Sequence, residues 1–372
     1  MKFTIQKNAI TDVLSRIQGI AGRKTSLAIT ENVLIKAAND EIILSATDLE
    51  TGVEGFYPAV VESPGTVAVN ARKLYDIVKM FPTDHLLMEE LDNRWIEISS
   101  EKVEYHLVGM NPEEFPDIPK VAEVDFLTIN SKLFRKMIEK SIAISVAGDE
   151  KREHMIGVNL EWIIENDENI LRMVSTDIKR LSKADYICDE SSGFKEREKI
   201  IIPKKGLAEV QKFLETEGNV DMGVKDNHFV VKKNNEIIIL NLLDGDFPQY
   251  HDLLTVDNQF DVEFDRNLLM MMLKRMAIIT SDEYRAVIFQ YENNELIIRA
   301  TNPNVGESKE KIKIAFERER VETGFNPKFF IEALGFIETD KVQLNIKGKE
   351  NPCVIRGDNE TLYMNIIMPM KF

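Results

Sequence analysis

Apolar residues recur along the chain at two spacings, one typical of helices and one typical of strands. Six segments place apolar residues every three or four positions, which predicts amphipathic helices. These segments are residues 7–20, 72–81, 131–143, 203–215, 265–279 and 327–337. Between them lie short runs of alternating apolar and polar residues, bounded by Asn-Asp, Asn-Asn and Asp-Gly turns. These runs predict antiparallel strands joined by tight turns, so the predicted fold class is α+β.

The third and fifth segments have the clearest apolar faces. In residues 131–143 the inward face is predicted to be Leu133, Phe134, Met137, Ile138 and Ile142. In residues 265–279 it is predicted to be Leu268, Leu269, Met272, Leu273 and Met276. Lys and Arg residues occupy the opposite faces, as expected of helices that pack one side against a core. Asn130 or Ser131 is expected to cap the third segment.

One pattern recurs three times, at a spacing far longer than the repeats of solenoid proteins. The stretches LSATDLETGVEG, MVSTDIKRLSKAD and IRATNPNVGESKE each read as a strand, a turn in which Thr precedes Asp or Asn, and a polar strand. Thr47, Thr176 and Thr301 are therefore equivalent positions. Chance recurrence of a common turn is the alternative, but the strand and helix that follow each stretch recur as well.

Each copy comprises about 120 residues, with two helices and roughly eight strands, which is typical of a small α+β domain. Phe115-Pro116 and Phe247-Pro248 occupy equivalent points after the first and second copies, and both read as linkers. The chain is thus predicted to contain three tandem copies of one domain, each with two helices packed on antiparallel sheets. The predicted domains are residues 1–121, 122–253 and 254–372.

The positive charge is concentrated in the helices. The chain has 47 Lys and Arg against 63 Asp and Glu, a net charge of −16. The six helical segments nevertheless carry 16 basic and 7 acidic residues. Basic helix faces are often simply solvated, because Lys and Arg are good helix formers. Six such helices side by side would instead form a surface that attracts a phosphate backbone without reading bases.

Sequence motifs of catalysis and metal binding are missing. There is no phosphate-binding loop, nucleophile elbow or zinc-protease motif. The histidines are scattered, and Cys188 and Cys353 lack metal-site spacing, so we expect ordinary thiols, no metal and no cofactor. An enzyme is the weaker hypothesis. No apolar run is long enough to cross a membrane and the first residues do not resemble a signal peptide, so we expect no membrane partner and a cytoplasmic location.

The chain ends in the unusually apolar sequence NIIMPMKF. Chain ends are usually polar and poorly ordered unless something holds them. A final β-strand inside a sheet is the simplest explanation. A second hypothesis is that the same strand also forms part of a binding surface.

The repeated domain, the TDIKRL turn, the two Phe-Pro linkers and the MPM tail together resemble the bacterial DNA polymerase III beta subunits, the beta sliding clamps, over the whole chain. The resemblance implies a non-catalytic processivity factor for DNA replication. It implies a head-to-tail homodimer in which each chain supplies half of a six-domain ring. Helices would line the hole and duplex DNA would pass through it, independent of sequence. In a bacterium such a protein would be cytoplasmic and associated with the nucleoid during replication.

The resemblance also implies a hydrophobic groove between the second and third domains. It would receive short peptides from the polymerase III alpha subunit, the clamp loader, other DNA polymerases and repair proteins. Matched motif by motif, the groove residues are Met155, Thr176, Ile178, Lys179, Leu181, Pro248, Leu253, Asn326, Phe329, Ile366, Ile367, Met368, Pro369 and Met370. Many members of the family have Gly-His in place of Ile178-Lys179, so peptide specificity is expected to differ here.

Two further surfaces are expected. At the subunit seam, Tyr105 would lie on an edge strand and Ile278 and Ile279 at the end of a helix, with burial in the domain core as the alternative. The DNA-binding residues would be Arg23, Lys24, Arg72, Lys73, Lys136, Lys204 and Lys205. A protein that uses the tail groove without encircling DNA is the alternative function, and a nucleic-acid hydrolase is a weaker third.

Overall fold

The structure is a computed structural model, and it describes residues 1–21, 27–119, 123–144, 157–188, 197–214, 217–254, 262–283, 285–346 and 348–371. The helices in these residues are α1 Lys7–Ala21, α2 Ala71–Met80, α3 Ser131–Ile142, α4 Lys204–Phe213, α5 His251–Leu254, α6 Arg266–Ala277 and α7 Pro327–Phe336. All six predicted helices are confirmed; in the described residues the single turn of α5 and three short 3₁₀ turns, at 28–31, 92–94 and 112–114, were not predicted.

The strands fall into three successive groups, one for each sequence repeat. The first group is β1 Lys2–Gln6, β2 Asn32–Ala38, β3 Glu41–Thr47, β4 Thr51–Pro58, β5 Val60–Ser63, β6 Gly65–Asn70, β7 His85–Glu90, β8 Trp95–Ser100 and β9 Val103–Met110. The second is β10 Leu127–Asn130, β11 Gly157–Glu165, β12 Glu168–Thr176, β13 Arg180–Cys188, β14 Arg197–Pro203, β15 Asn219–Lys225, β16 His228–Lys233 and β17 Glu236–Asn241. The third is β18 Val262–Asp265, β19 Val287–Glu292, β20 Glu295–Asn302, β21 Gly306–Lys313, β22 Val321–Phe325, β23 Lys341–Asn345, β24 Cys353–Gly357 and β25 Tyr363–Ile367.

The described residues form two compact units. One contains residues within 1–135 and 202–242, and the other contains residues within 136–190, 194–201 and 243–372. The first unit holds a sheet in the order β10-β15-β16-β17-β4-β3-β2-β6-β9-β8-β7-β1-β5. The second holds two sheets, in the orders β14-β11-β12-β13-β25-β24-β23-β18 and β21-β20-β19-β22. The last residues of β14, 202 and 203, belong to the first unit. The domain boundaries near residues 121 and 253 stay predictions.

Consecutive repeats are joined by one recurring strand pair. In the first unit β4 pairs antiparallel with β17, from Gly55 opposite Glu236 to Thr51 opposite Leu240. In the second unit β13 pairs antiparallel with β25 over an equal length. In both cases the fourth strand of one repeat pairs with the last strand of the next. Strands of consecutive repeats thus complete the two larger sheets.

Polar residues at the helix starts explain where the helices begin. The side chain of Asn70 accepts a hydrogen bond from Lys73 N at 3.0 Å, and that of Asn130 accepts one from Leu133 N at 3.1 Å. Asp265 does the same for α6 at 2.7 Å. Each side chain satisfies an amide that has no partner within its own helix. The predicted cap by Asn130 is therefore confirmed.

Two residues predicted to face inward are exposed. Leu133 is 47% exposed and Leu268 is 43% exposed, whereas the next residues, Phe134 and Leu269, are buried. Both exposed leucines are the third residue of their helix and lie to one side of the buried stripe. Successive residues of an α-helix are about 100° apart around its axis. The third residue therefore lies about a quarter turn from the buried face, which begins at the fourth residue. The inward prediction was wrong for these two positions.

The recurring Thr-Asp turn has the same geometry in the first two repeats. The hydroxyl oxygens of Thr47 and Thr176 each accept a hydrogen bond, at 3.0 Å, from the amide two residues later. Those amides belong to Leu49 and Ile178, whose φ angles are 77° and 71°. A positive φ is unusual for any residue with a Cβ and is most costly for a β-branched one such as Ile178.

We expect Ile178→Gly to stabilise the protein, because glycine adopts this conformation without steric cost. The steric strain that is removed should exceed the free-energy cost of the greater entropy of glycine in the unfolded chain. The free energy of unfolding should therefore rise by about 1 kcal/mol. Ile178 is 57% exposed, so few packing contacts are lost. Denaturant unfolding of the purified protein measures the change. Ile164, in β11 and 59% exposed, supplies the control: Ile164→Gly should destabilise the protein. Equal losses of stability in both variants would contradict the strain at Ile178.

Candidate functional site

The apolar tail forms the last strand of the fold. β25 pairs with β13, placing Ile367 opposite Arg180 and Ile366 opposite Leu181. Beyond the strand, Met368 N–H donates to the carbonyl of Lys179 at 2.9 Å, and Met370 N–H donates to that of Gly324 at 2.8 Å. The predicted final strand is confirmed, and these two hydrogen bonds hold the residues that follow it.

An apolar cluster lies where the tail meets the second linker. Leu181, Ile366, Val174, Val354 and Tyr250 are buried together in this cluster. Leu253 and Leu254 of α5, with Phe247 and Met364, pack against it and stay partly exposed. The structure thus brings together Leu181, Leu253 and Ile366, which sequence matching had assigned to one groove. Pro248 lies half-buried in the linker, between Phe247 and Tyr250.

The predicted groove residues differ in exposure, and the difference separates a floor from a rim. Ile366 and Ile367 are each 1% exposed, so they can only support the surface from beneath. Thr176 and Asn326 are also buried; Asn326 caps α7 by accepting from Lys328 N at 3.0 Å. The exposed or half-exposed members are Ile178, Lys179, Pro248, Leu253, Phe329, Met368, Pro369 and Met370. Met155 lies outside the described residues.

Arg180 connects the Thr-Asp turn to α7. It was not among the groove residues that the resemblance implied. Its guanidinium pairs with Asp177 at 3.1 Å and also with Glu332 of α7. It lies 4.4 Å from the centre of the Phe329 ring, a cation–π distance. Arg180 is 8% exposed and the Asp177 side chain is 12% exposed, so this ion pair is shielded from water, whereas the Glu332 side chain is 48% exposed and that pair is open to solvent. No sequence pattern indicated this connection, because Arg180 and Glu332 lie 152 residues apart.

A buried carboxylate anchors the second linker. Glu161 accepts hydrogen bonds from the Tyr250 hydroxyl and from Asn159 Nδ2, both at 2.8 Å, and pairs with Lys199 at 3.3 Å. Burial alone would raise the pKa of Glu161, but these hydrogen bonds and the Lys199 charge outweigh it and lower the pKa. Tyr250 also stacks on His251, with ring centres 4.4 Å apart. The anchored linker then holds α5, and with it Leu253, against the apolar cluster.

The predicted DNA-binding residues mostly occupy exposed first turns of helices. Arg72 and Lys73 are exposed at the start of α2, and Lys205 is exposed at the start of α4. Lys204 is half-buried. Lys136 of α3 pairs with Glu338 at 2.7 Å, which reduces the charge that it offers to a ligand. Arg23 and Lys24 lie outside the described residues.

The predicted seam residues lie on the surface of the chain. Ile278 is 75% exposed just beyond α6, and Ile279 beside it is half-buried. Tyr105 in β9 is 39% exposed, with its ring centre 6.4 Å from that of Phe81. Burial in the domain core, the alternative explanation, therefore fails for Tyr105 and Ile278.

Cross-strand pairing creates one group of metal-ligating side chains that the sequence spacing had not indicated. His106 Nε2 lies 3.7 Å from Glu97 and 3.3 Å from Glu104. Glu97 stands directly opposite His106 on the neighbouring strand, and Glu104 is two residues along the same strand.

The described residues include no helix that is long and apolar enough to cross a membrane.

Comparison with known proteins places the whole chain in one family. Models of the N-terminal, central and C-terminal domains of the DNA polymerase III beta subunit match residues 1–119, 128–249 and 252–371. The beta sliding clamp of Chlamydia pneumoniae is 27% identical over 371 residues, covering 100% of this chain and 99% of that protein. The beta sliding clamp of Bacillus subtilis is 26% identical, with 100% of both proteins covered.

Solved structures agree with this assignment. The crystal structure of the DNA polymerase III subunit beta from Pseudomonas aeruginosa matches with a TM-score of 0.91 at 26% identity, over 100% of both chains. The three sequence repeats are therefore three tandem clamp domains. The recurring turn and helices had predicted three copies of one domain, and the resemblance had implied its clamp fold. The chain belongs to the DNA polymerase III beta subunit family, the beta sliding clamps.

Proposed function

We propose that two copies of this sliding clamp join head to tail into a ring around duplex DNA. The ring tethers the replicative polymerase and takes no part in catalysis. The observation that carries this proposal is the strand pair that joins consecutive repeats. This strand pair occurs twice within the chain. Among the described residues, the first and the third repeat each keep one strand edge that could form the same pair but has no such partner.

The open edges are β21 and β9. β21 is the fourth strand of the third repeat, equivalent to β4 and β13, and among the described residues it pairs only with β20. β9 is the last strand of the first repeat, equivalent to β17 and β25. It pairs with β8 along its length and with β6 only at Gly109 and Met110. Each copy thus offers one edge of each kind, and two copies joined head to tail satisfy both.

Exposed apolar residues accompany both edges. Val108 in β9 is 64% exposed, and Tyr105 lies on the same strand. Val305, immediately before β21, is 63% exposed, and Ile278 belongs to the same repeat. Strand pairing would therefore be reinforced by burial of apolar side chains at the seam, which is typical of stable subunit interfaces.

The helices supply the attraction to DNA. α1 packs against α2 of its own repeat and α4 of the next, and Arg16 of α1 lies 5.8 Å over the Phe213 ring of α4. Helices of the first and second repeats therefore adjoin, which supports a shared basic surface in the ring. Encirclement supplies the residence time, so weak attraction to phosphates suffices. The acidic remainder of the chain repels DNA from other surfaces.

The partners dock in the groove formed by the TDIKR turn, the second linker and the tail. Its floor is apolar and buried, while Met368 and Met370 on the rim are flexible and adaptable to different side chains. Short peptides of the polymerase III alpha subunit, the clamp loader, other DNA polymerases and repair proteins would share it. Arg180 fixes the turn against α7, so the rim is held in place before a peptide arrives.

Charge substitutions at the open edges should separate the dimer. We expect Val108→Asp and Ile278→Asp each to shift the protein from dimer to folded monomer, because a carboxylate would be buried at the seam. Sedimentation velocity measures the mass, and circular dichroism measures the fold. Ile187→Asp, at a residue that is 43% exposed on β13, is the control and should remain dimeric. A monomeric parent protein would refute the ring itself.

Removal of residues 368–372 should abolish peptide binding while the dimer stays folded, because β25 ends before the deletion. Fluorescence anisotropy with a labelled peptide from the polymerase III alpha subunit measures the affinity. We expect a loss of at least about 100-fold, as for removal of a central hydrophobic anchor. Deletion of 371–372 alone, which keeps the Met370 N–H bond to Gly324, is the control and should bind as the full chain does. Undiminished affinity without 368–372 would exclude the tail from the site.

A clamp loaded on circular DNA should stay bound until the circle is cut. Lys204→Glu and Lys205→Glu together should reduce retention on cut DNA and reduce the slope of affinity against salt, because fewer counterions are released. Gel filtration of labelled clamp on intact and linearised plasmid measures both effects. Lys102→Glu, on the exposed β8–β9 turn, is the control for a charge reversal outside the helices. Rapid loss from uncut circles would contradict encirclement, and an unchanged salt slope would contradict the role of these lysines.

A further inference from the structure

A second groove lies under the first linker, in the unit that contains the first repeat. It has a volume of about 1000 Å³ and is bounded by the sheet face of β2, β3, β4 and β17 and by linker residues 112–119. Apolar side chains line most of its floor. These are Leu34, Ile43, Phe56, Ile237 and Ile239, of which all but Ile239 are half-buried. We call it the first-linker groove.

The repeat relates this groove to the linker that covers the apolar cluster of the second unit. Aligning Phe115-Pro116 with Phe247-Pro248 makes Ile118 equivalent to Tyr250. Both residues pack on equivalent positions of the sheet. Tyr250 packs with Leu181, and Ile118 lies so close to Gly52 that a Cβ there would approach its Cγ2 to 2.9 Å. The two linkers thus cross their sheets at the same place.

The size of the covering side chain differs between the two linkers. Tyr250 is 2% exposed, and its hydroxyl reaches across the sheet to Glu161. Ile118 is shorter and has no polar group, and the position equivalent to Glu161 is Lys36, which is exposed. Space that a tyrosine fills in the second unit is therefore left open in the first.

The charges differ as well. The position equivalent to Lys183 is Glu54, in the middle of the groove floor. Lys183 is neutralised by Asp185 at 2.5 Å, whereas Glu54 accepts only a hydrogen bond from Ser45 at 3.3 Å and has no ion pair among the described residues. Glu113 and Asp117 of the linker add two more carboxylates to the lining. A half-buried carboxylate without a cation favours a ligand that brings one.

We propose that the first-linker groove binds an extended peptide that carries apolar side chains on both sides of a Lys or Arg. The apolar side chains contact the floor at Ile43, Phe56 and Ile237, and the cation pairs with Glu54. Lys36 and Lys232 lie at the outer strands and keep their charges in water. This binding is independent of the tail groove, so either site can fail its test alone.

The test uses the full chain and a blocked pentapeptide, Leu-Phe-Lys-Leu-Phe, with a counterpart that has Glu in place of Lys. Isoleucine methyl NMR follows Ile43 and Ile237 during titration. We expect both methyl signals to shift, and the Glu peptide to bind about fivefold more weakly, the effect of one partly screened ion pair. Glu54→Gln should remove this preference. Ile118→Tyr should fill the groove and weaken binding of the Lys peptide about tenfold.

The protein without residues 368–372 separates the two sites. We expect the Ile43 and Ile237 shifts to persist in it. Shifts that disappear with the tail would assign the peptide to the other groove and overturn the proposal. Absence of shifts at about 1 mM peptide would overturn it too, as would equal affinity for both peptides. If Ile118→Tyr does not fold, the Glu54→Gln comparison still decides.

Discussion

The structure depends on antiparallel pairing between the fourth strand of one repeat and the last strand of the next. A strand edge carries unpaired amide and carbonyl groups that favour any partner with complementary spacing. β4 with β17, and β13 with β25, meet this requirement inside the chain. The two larger sheets are therefore each completed by a strand of a neighbouring domain, so the domains are not independent modules. Among the described residues the same requirement is unmet at β21 and along most of β9, and this supports the proposed pairing of two chains.

The strand pair between the second and third repeats also creates the groove that we propose binds peptides. Because β25 must follow β13 to complete the sheet, the residues after it emerge beside the TDIKR turn. Two backbone hydrogen bonds then hold them, to Lys179 and to Gly324. Arg180 adds ion pairs to Asp177 and Glu332 that tie the turn to α7. The contacts that complete the fold thus also form the proposed binding surface, which explains the apolar residues of NIIMPMKF in an acidic protein.

The two linkers illustrate how a repeated fold acquires different surfaces. Both cross the sheet at the same point, yet Tyr250 with Leu181 fills the space that Ile118 with Gly52 leaves open. The charged side chains differ as well. Glu161, Lys183 and Asp185 have ion-pair partners within the second unit, whereas Glu54 accepts a hydrogen bond from Ser45 and has no ion pair among the described residues of the first. Repetition fixes the backbone arrangement, and individual side chains decide what each junction can bind.

The sequence by itself determined the repeat, the six main helices, the strand-rich segments between them and the segregation of charge. Each of these follows from local periodicity, turn chemistry and composition, which act over a few residues. Tertiary structure decided which strands pair between repeats, that Leu133 and Leu268 face outward, and that Arg180 meets Phe329 and Glu332. It also set the left-handed backbone of Ile178, against local preference. These features depend on residues far apart in the chain, whose contacts form only when the sheets do.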